Sequence, residues 1–316
     1  MKHSFLFFIA LFSVLQSSAQ SSDKTLARVR YTFKHVSDTS QRDQPRIENM
    51  LLVIGKNASL YTSYDKLMQG MALQKQLEEQ IKNQSGSTNG NIQVNATSKT
   101  GNKNPLTSVD YYYFAKEHKF ITRERLFNSY LVEEDAPQIA WKIEKDTMSF
   151  SGIACQKATA KFKGRNWIAW YATELPFPSG PWKLNGLPGL IISAKDDKNE
   201  VMFEFAGIEN VTSAVADGKS TSMISSEGNP IKVIGMDVSS VYMGPEISLP
   251  TEGIKTSRKE LDKLKEARDK DPQGFMQAQM AGSGIAGSIK IQSVLKPAGT
   301  ASKKVVNNPI ELSEKK

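Results

Sequence analysis

Residues 162–191 read FKGRNWIAWYATELPFPSGPWKLNGLPGLI, and this stretch decides the prediction of the fold. It begins with aromatic, strand-like sequence and ends with the hexapeptide Gly-Leu-Pro-Gly-Leu-Ile. Asn185-Gly186 is typical of a turn that needs a positive φ, and Pro188-Gly189 is typical of the central positions of a type II turn. The apolar side chains of the hexapeptide would then enter the core between two tight turns: Leu187, Leu190 and Ile191.

The sequence around the hexapeptide predicts a folded corner, in which strands reverse against an aromatic cluster. The alternative is that the same turns and rings line the mouth of a site for a ligand or a partner. Arg165 follows a glycine, and we interpret it as a paired structural charge rather than an anion clamp. The candidate residues of this corner or binding surface are Arg165, Trp167, Trp170, Tyr171, Pro181, Trp182, Gly186, Leu187, Pro188, Gly189, Leu190 and Ile191.

Other patterns accompany the hexapeptide: Gly152-x-x-Cys155-x-Lys157-Ala158, Gly180-Pro181-Trp182-Lys183 and Asn308-Pro309-Ile310-Glu311-Leu312. On these patterns the chain resembles the GLPGLI family of exported proteins. The firm resemblance covers about 70 residues around the hexapeptide, and weaker similarity extends over most of the mature chain. The family has no established activity, so the resemblance implies an exported protein and no particular reaction. The chain departs from the family pattern in residues 83–105 and in its long basic C-terminal region.

The first nineteen residues are typical of a cleavable secretory signal. Lys2 precedes the apolar run FLFFIALFSVL at residues 5–15, and small residues follow at 17–19. We therefore expect a mature chain that begins near Gln20, is periplasmic or secreted, and has no transmembrane segment after cleavage. Cys155 is the only cysteine, so an intrachain disulfide is impossible.

Short β-branched and aromatic segments occur between residues 27 and 64, and then follow one another from residue 110 to residue 205, one of them at 139–143. Serial strands without helices between them favour an antiparallel sheet. We predict a β-dominated α+β fold, a curved antiparallel sheet or half-open barrel with a packed helix and C-terminal helices. The packed helix is expected to be capped by Asp65 and to bury one face, formed by Leu67, Met71, Leu73, Leu77 and Ile81.

The predicted organisation is a signal peptide at 1–19, a β-rich domain at 20–254 and a charged helical segment with a basic tail at 255–316. Residues 83–105 are rich in Asn, Ser, Gly and Thr and are interpreted as a flexible insertion. Ser257 and Glu260 form a capping-box pattern that predicts the start of a C-terminal helix.

The net charge of +8 lies mainly in the last part of the chain. Residues 255–316 hold 13 Lys and Arg against 7 Asp and Glu, a net of +6. Once Lys2 is removed with the signal, residues 20–254 carry only about +1. A nucleic-acid reader places its charge across a folded face, so nucleic acid is not predicted as a partner. We expect the basic tail to contact anionic lipid headgroups instead.

No catalytic, cofactor or metal site is predicted. The mature chain has only His35 and His118, in unrelated segments, and lacks paired cysteines, although a carboxylate metal site stays open at this point. Cys155 lies in an apparent strand and is interpreted as a small buried apolar residue. Gly282-x-Gly284-x-x-Gly287 matches a dinucleotide motif but follows a helix, the wrong context for that chemistry.

Three functions remain as hypotheses. The first is a non-enzymatic binding or accessory protein that engages a protein partner of the envelope through the aromatic corner or the tail. The second is a carrier of an apolar ligand, a lipid or lipoprotein, inside a curved sheet. The third is an enzyme without a recognisable motif. A large apolar cavity would favour the carrier, and a filled interior with exposed apolar surface would favour the partner.

Overall fold

The structure is a computed structural model that describes residues 22–84, 106–211, 223–224, 230–231, 244–251, 253–282 and 306–313. The strands of these ranges are β1 (Asp23–Lys24), β2 (Ala27–His35), β3 (Arg46–Ile54), β4 (Ala58–Ser63), β5 (Val109–Phe114), β6 (Lys119–Arg125), β7 (Ser129–Asp135), β8 (Lys142–Phe150), β9 (Ile153–Phe162), β10 (Arg165–Ala172), β11 (Leu190–Asp196), β12 (Val201–Asn210), β13 (Met223–Ile224), β14 (Pro230–Ile231), β15 (Glu246–Ile247) and β16 (Ile254–Lys255). The helices are α1 (Tyr64–Gln84), α2 (Arg258–Lys270) and α3 (Pro272–Gly282).

One large sheet contains twelve of these strands, in the order β16-β7-β6-β5-β4-β3-β2-β12-β11-β10-β9-β8. Strands β2 and β12 pair at its middle, from Ala27 opposite Asn210 to His35 opposite Val201. Antiparallel hairpins run outward from this pair, β3 to β7 on one side and β11 to β8 on the other. The sheet is curved and open, because its outermost described strands β16 and β8 do not pair with each other. The predicted β-dominated α+β class is confirmed.

The main core lies on one face of this sheet. Alternate residues of a strand face the same side, and Tyr31 and Phe33 of β2 and Trp167 and Tyr171 of β10 all turn inward and are buried. Phe203 of β12 stacks on both strands, with ring centroids 5.1 Å from Phe33 and 6.1 Å from Trp167. Burying each of these rings contributes roughly 1.5–3 kcal/mol relative to leaving it in water.

Helix α1 covers part of the opposite face. Leu67 is buried in a second apolar cluster with Leu51 and Val53 of β3, so the predicted packing of one helical face is confirmed at this residue. Helix α1 lies against β3.

The cap of α1 differs from the prediction. Ser63 precedes the helix, and its hydroxyl accepts a hydrogen bond from the backbone N–H of Lys66 at 3.1 Å. Asp65 lies inside the first turn, where its carboxylate accepts from the backbone N–H of Asn49 at 2.9 Å. Asp65 therefore fixes the helix to β3, and Ser63 is the cap.

Helix α2 covers the sheet edge at β7. Leu261 is fully buried and forms a small core with Tyr130 and Val132. The predicted capping box is present: the Ser257 hydroxyl accepts from the Glu260 N–H at 3.2 Å, and the Glu260 carboxylate accepts from the Ser257 N–H at 3.1 Å. The short strand β16 precedes the helix and pairs in parallel with β7.

Strand β8 forms the opposite edge and was placed wrongly from the sequence. The strand expected at 139–143 is instead Lys142–Phe150. Most of its side chains are exposed, because among the described strands only β9 lies beside it. Ile143 and Met148 are 49% and 50% exposed.

Several predicted features lie outside the described residues. These are the signal peptide at 1–19, the glycines at 284 and 287, most of the basic tail, and the 83–105 segment beyond the two residues that end α1. Within the ranges that the structure describes, no helix combines the length and hydrophobicity needed to cross a bilayer.

Candidate functional site

The hexapeptide ends the long loop 173–189 between β10 and β11. The turn expected at Asn185-Gly186 is confirmed, since Gly186 has a φ of 88° and faces open space. The type II turn expected at Pro188-Gly189 is wrong, since it requires a positive φ that Gly189 does not have. Gly189 serves a close approach instead: a Cβ there would lie 2.1 Å from the carbonyl oxygen of Ala172.

The apolar side chains of the hexapeptide are buried, as predicted. Leu187 is 1% exposed, and Leu190 and Ile191 are fully buried. The Tyr31 hydroxyl donates a hydrogen bond to the Ile191 carbonyl at 2.6 Å inside the core. Burial raises the pKa of Tyr31 above its ordinary value, which keeps this donor protonated.

Backbone hydrogen bonds fasten the loop to the start of β11. The Leu190 N–H donates to the Leu175 carbonyl and the Ile191 N–H donates to the Ser179 carbonyl, both at 3.0 Å. Pro181 is buried, and its carbonyl accepts from the Leu184 N–H at 3.1 Å. Loop 173–189 is therefore folded against the core, and we name it the plug loop.

The aromatic candidates pack on the main core but differ in how deeply they are buried. Trp182 adopts a φ of 56°, an uncommon value for a bulky residue, and places its ring 5.6 Å from that of Trp167 and 5.8 Å from that of Phe162. Trp170 is half-buried and packs against the main core, with its ring 5.9 Å from that of Phe150. The predicted aromatic corner is therefore centred on Trp167 and Trp182, with Trp170 only half-buried, and Pro188 is exposed.

Arg165 is a buried, fully engaged structural charge. Its Nη1 lies 2.6 Å from the Asp196 carboxylate and 3.3 Å from the Glu200 carboxylate. Its Nε donates to the Ile310 carbonyl at 2.8 Å, and its Nη2 donates to the Asn308 side chain and the Pro309 carbonyl, both at 2.7 Å. With every nitrogen bonded to protein, the geometry matches the structural interpretation of Arg165.

The carboxylates around Arg165 are themselves satisfied. Asp196 accepts from the backbone N–H groups of Glu200 at 2.7 Å and Val201 at 3.0 Å. Burial alone would raise the pKa of Glu200, but hydrogen bonds from Arg42, Arg165 and Asn308 outweigh it and hold that pKa below the ordinary value.

Sequence reasoning missed the role of residues 306–313. The sequence places these residues in the basic tail of the 255–316 region, yet they are docked on Arg165, on the ends of β2 and β9, and on Glu200 just before β12. Asn308 is 5% exposed. The signal that could have found it is the uncharged run Asn308-Pro309-Ile310 inside a Lys-rich region, which is the pattern of a docked peptide rather than a solvated one.

The interior next to the plug is filled. The enclosed cavity between Tyr61, Tyr111, Phe120 and Trp182 measures about 10 Å³, the space of a single water molecule. A shallow surface concavity of about 370 Å³ lies elsewhere, beside the start of β8, and its lining includes Lys142. The pocket beside the plug loop therefore has no room for a lipid chain.

Neither a metal centre nor an activated thiol is formed by the described residues. No group of three or more His, Cys, Asp or Glu side chains among them is placed to hold a metal ion. Cys155 is 3% exposed, and burial raises the pKa of its thiol to about 11, so the thiolate that would react is suppressed.

No protein-family model matches the chain, and no curated protein matches it. Among solved structures it is similar to PNGF-II in the P21 space group, at 11% identity and a TM-score of 0.40 over 61% of this chain and 30% of that chain. For PNGF-II in the C2 space group the identity is 11% and the TM-score 0.43, over 76% of this chain and 32% of that chain. The chain thus spans about a third of the length of these matches.

Proposed function

We propose that the protein is an exported, non-enzymatic accessory protein of the envelope that works by binding a protein partner. The observation that carries this proposal is the contrast between a filled interior and an exposed edge. The enclosed cavity is about 10 Å³, whereas ligand pockets measure several hundred. Ile143 and Met148, in contrast, expose about half of their surface on β8.

The β8 edge has the chemistry of a partner surface. An edge strand offers unpaired backbone groups that an extended segment of another protein can join. Charged groups flank the apolar ones: Lys157 lies 2.8 Å from Glu144 and 3.1 Å from Asp146. The register shift between Ile143 and Thr147 interrupts the strand, and such irregularities limit unspecific pairing.

We also propose membership of the GLPGLI family. The support is that sequence patterns of that resemblance, which lie far apart in the chain, contact each other in the folded protein. Arg165 holds the carbonyl of Ile310 at 2.8 Å, and Lys183, just before the hexapeptide, lies 2.8 Å from Glu311. The pattern at residues 308–312 therefore packs in the same part of the fold as the residues before the hexapeptide.

Photo-crosslinking tests the partner proposal. A photoreactive amino acid placed at Met148, in the cells that make the protein, should give a crosslinked product of defined mass. The matched control is Met68, which is 42% exposed on α1. Met148→Lys should weaken the same product formed from a crosslinker at Ile143. The proposal fails if Met68 gives the same product, or if Met148 gives none while the protein accumulates normally.

Mass spectrometry of a solvent extract separates this proposal from the carrier. The purified mature protein should contain no lipid in molar proportion, because its core is filled. Reproducible stoichiometric lipid would replace the partner proposal with the carrier.

A further inference from the structure

Residues 306–313 are held along their length by groups of the sheet, although they form neither helix nor strand. At one end, the backbone N–H of Asn308 donates to the Ser37 carbonyl at 3.1 Å, and its carbonyl oxygen lies 2.7 Å from Nε2 of His35. At the other end, the Leu312 N–H donates to the Lys163 carbonyl at 3.0 Å. The segment thus lies in an extended slot between the start of β10 and the end of β2.

The Asn308 side chain occupies a pocket that recognises an amide. Its nitrogen donates to the Val36 carbonyl at 2.7 Å and to the Glu200 carboxylate at 3.0 Å. Its oxygen accepts from Arg165 at 2.7 Å. A carboxylate of the same shape could not donate to Val36 or Glu200, and an apolar side chain would leave these buried groups unpaired. The pocket is therefore selective for Asn.

The rest of the slot recognises the backbone and the apolar side chains. Arg165 donates to the carbonyls of Pro309 and Ile310, and the Ile310 side chain packs against the main core. Gly164 clears space for Leu312, since a Cβ on Gly164 would lie 2.7 Å from the Leu312 Cβ. These contacts fit an Asn-Pro-apolar-x-apolar peptide.

The sheet can keep its charges balanced without the segment. Arg165 is paired with Asp196 and Glu200, both of which belong to the β11–β12 hairpin. Within 306–313 only Asn308 is buried. Removing the segment would thus expose a polar slot in which Arg165 keeps both carboxylates, while Lys183 keeps Glu134 at 3.5 Å.

From these contacts we propose that the sheet carries a peptide-recognition site, whose ligand is an Asn-Pro-Ile-Glu-Leu segment supplied in this structure by residues 308–312 of the same chain. The segment is a detachable ligand rather than a permanent part of the core. Glu311 is paired with Lys183 of the plug loop. When the slot is occupied, the loop that carries the hexapeptide therefore gains an ion pair.

Exchange of the segment tests this site in the full chain. A Gly/Ser linker with a protease site, inserted after Gly299, allows the folded protein to be cut while 306–313 stays in its slot. A fluorescent peptide of sequence VNNPIELS should then replace the cut segment, and its anisotropy should rise to a saturable 1:1 limit. Unlabelled peptide should reverse the rise, and uncut protein should bind at least tenfold less because its own segment competes.

Two variant peptides distinguish recognition from unspecific adhesion. Asn308→Ala in the peptide should weaken binding about 100-fold, because three buried hydrogen bonds lose their partner. Glu311→Gln should weaken it less than tenfold, because that side chain is 40% exposed. The proposal is overturned if the cut segment never exchanges, if the cut protein unfolds on losing it, or if the Asn308→Ala peptide binds as well as the original.

Discussion

Lys183 Nζ lies 2.8 Å from Glu311 Oε1 and so joins the plug loop to the docked segment 306–313. The same nitrogen is 3.5 Å from Glu134 of β7, which Arg258 of α2 also contacts at 2.9 Å. Burial alone would raise the pKa of Glu134, but Lys183 and Arg258 outweigh it and lower that pKa. One chain of charges therefore connects the loop, the docked segment, the sheet and helix α2.

Replacing Arg165 should destabilise the fold more than any surface charge. In Arg165→Met, Asp196 remains buried without a cation and Glu200 keeps only the exposed Arg42, so we expect a loss of about 3–5 kcal/mol in the free energy of unfolding. Urea denaturation measures it. The matched control is Arg42→Ala, which removes another partner of Glu200 whose side chain is 54% exposed, and should cost less than about 1 kcal/mol. Equal losses in both variants would contradict the structural role of Arg165.

Three glycines should respond differently to the same change. Gly189→Ala should cost about 3 kcal/mol, because the new Cβ meets the Ala172 carbonyl at 2.1 Å. Gly186→Ala should cost about 1 kcal/mol, because its φ of 88° is unfavourable although the space is open. Gly70→Ala in α1 meets nothing and should stabilise by up to about 1 kcal/mol. Thermal denaturation ranks the stabilities of the three variants. A smaller loss of stability for Gly189→Ala than for Gly186→Ala would refute the close approach of Gly189 to Ala172.

The strands could be predicted from the sequence where one face is buried. Alternation in β2 marks Tyr31 as an inward residue, and it is in the core. Strand β8 could not be located in the same way, because exposure on both faces removes the alternation. The pairing of β2 with β12 was also beyond prediction, since no local signal specifies a register between such distant segments.

The buried residues and one turn of the candidate site could be predicted from the sequence, but its tertiary contacts could not. Apolar character places Leu190 and Ile191 inside, and Asn185-Gly186 marks its turn. The type II turn failed at Gly189 because a tertiary contact, not local turn chemistry, requires the glycine. The partners of Arg165 were hidden because Asn308 meets it only through folding.

The thiol of Cys155 should be inert in the folded protein. Only the thiolate reacts with alkylating reagents, and burial both raises the thiol pKa to about 11 and excludes the reagent. At pH 8 we expect iodoacetamide to react at least 100-fold more slowly with the native protein than with the protein in denaturant, as measured by mass spectrometry. Comparable rates would show that the strand opens readily, and would restore the thiol as a candidate functional group.

Acid should weaken the fold through His35. Burial is the main cause that lowers the pKa of His35 below its ordinary 6.5, with Arg165 and Arg46 adding to it, against opposing effects of the Asn308 carbonyl and Asp196. His35 therefore binds a proton near pH 6.5 in the unfolded chain, whereas in the folded chain it stays neutral until a lower pH. The contribution of neutral His35 to the free energy of unfolding is complete above pH 6.5. It is lost as the pH falls from 6.5 toward the pKa of His35 in the folded protein, by at most about 1.4 kcal/mol per pH unit.

The comparison with His35→Gln isolates this effect. A glutamine amide can still donate to the Asn308 carbonyl but does not titrate, so its stability should stay level between pH 7.5 and 5.5 while that of the native protein declines. Glu200 does not confuse the result, because its lowered pKa removes stability only below its ordinary 4.5. Urea denaturation at pH 7.5, 6.5 and 5.5 gives both curves. Parallel curves for the two proteins would exclude His35, since the shared decline would then arise from groups that both proteins retain.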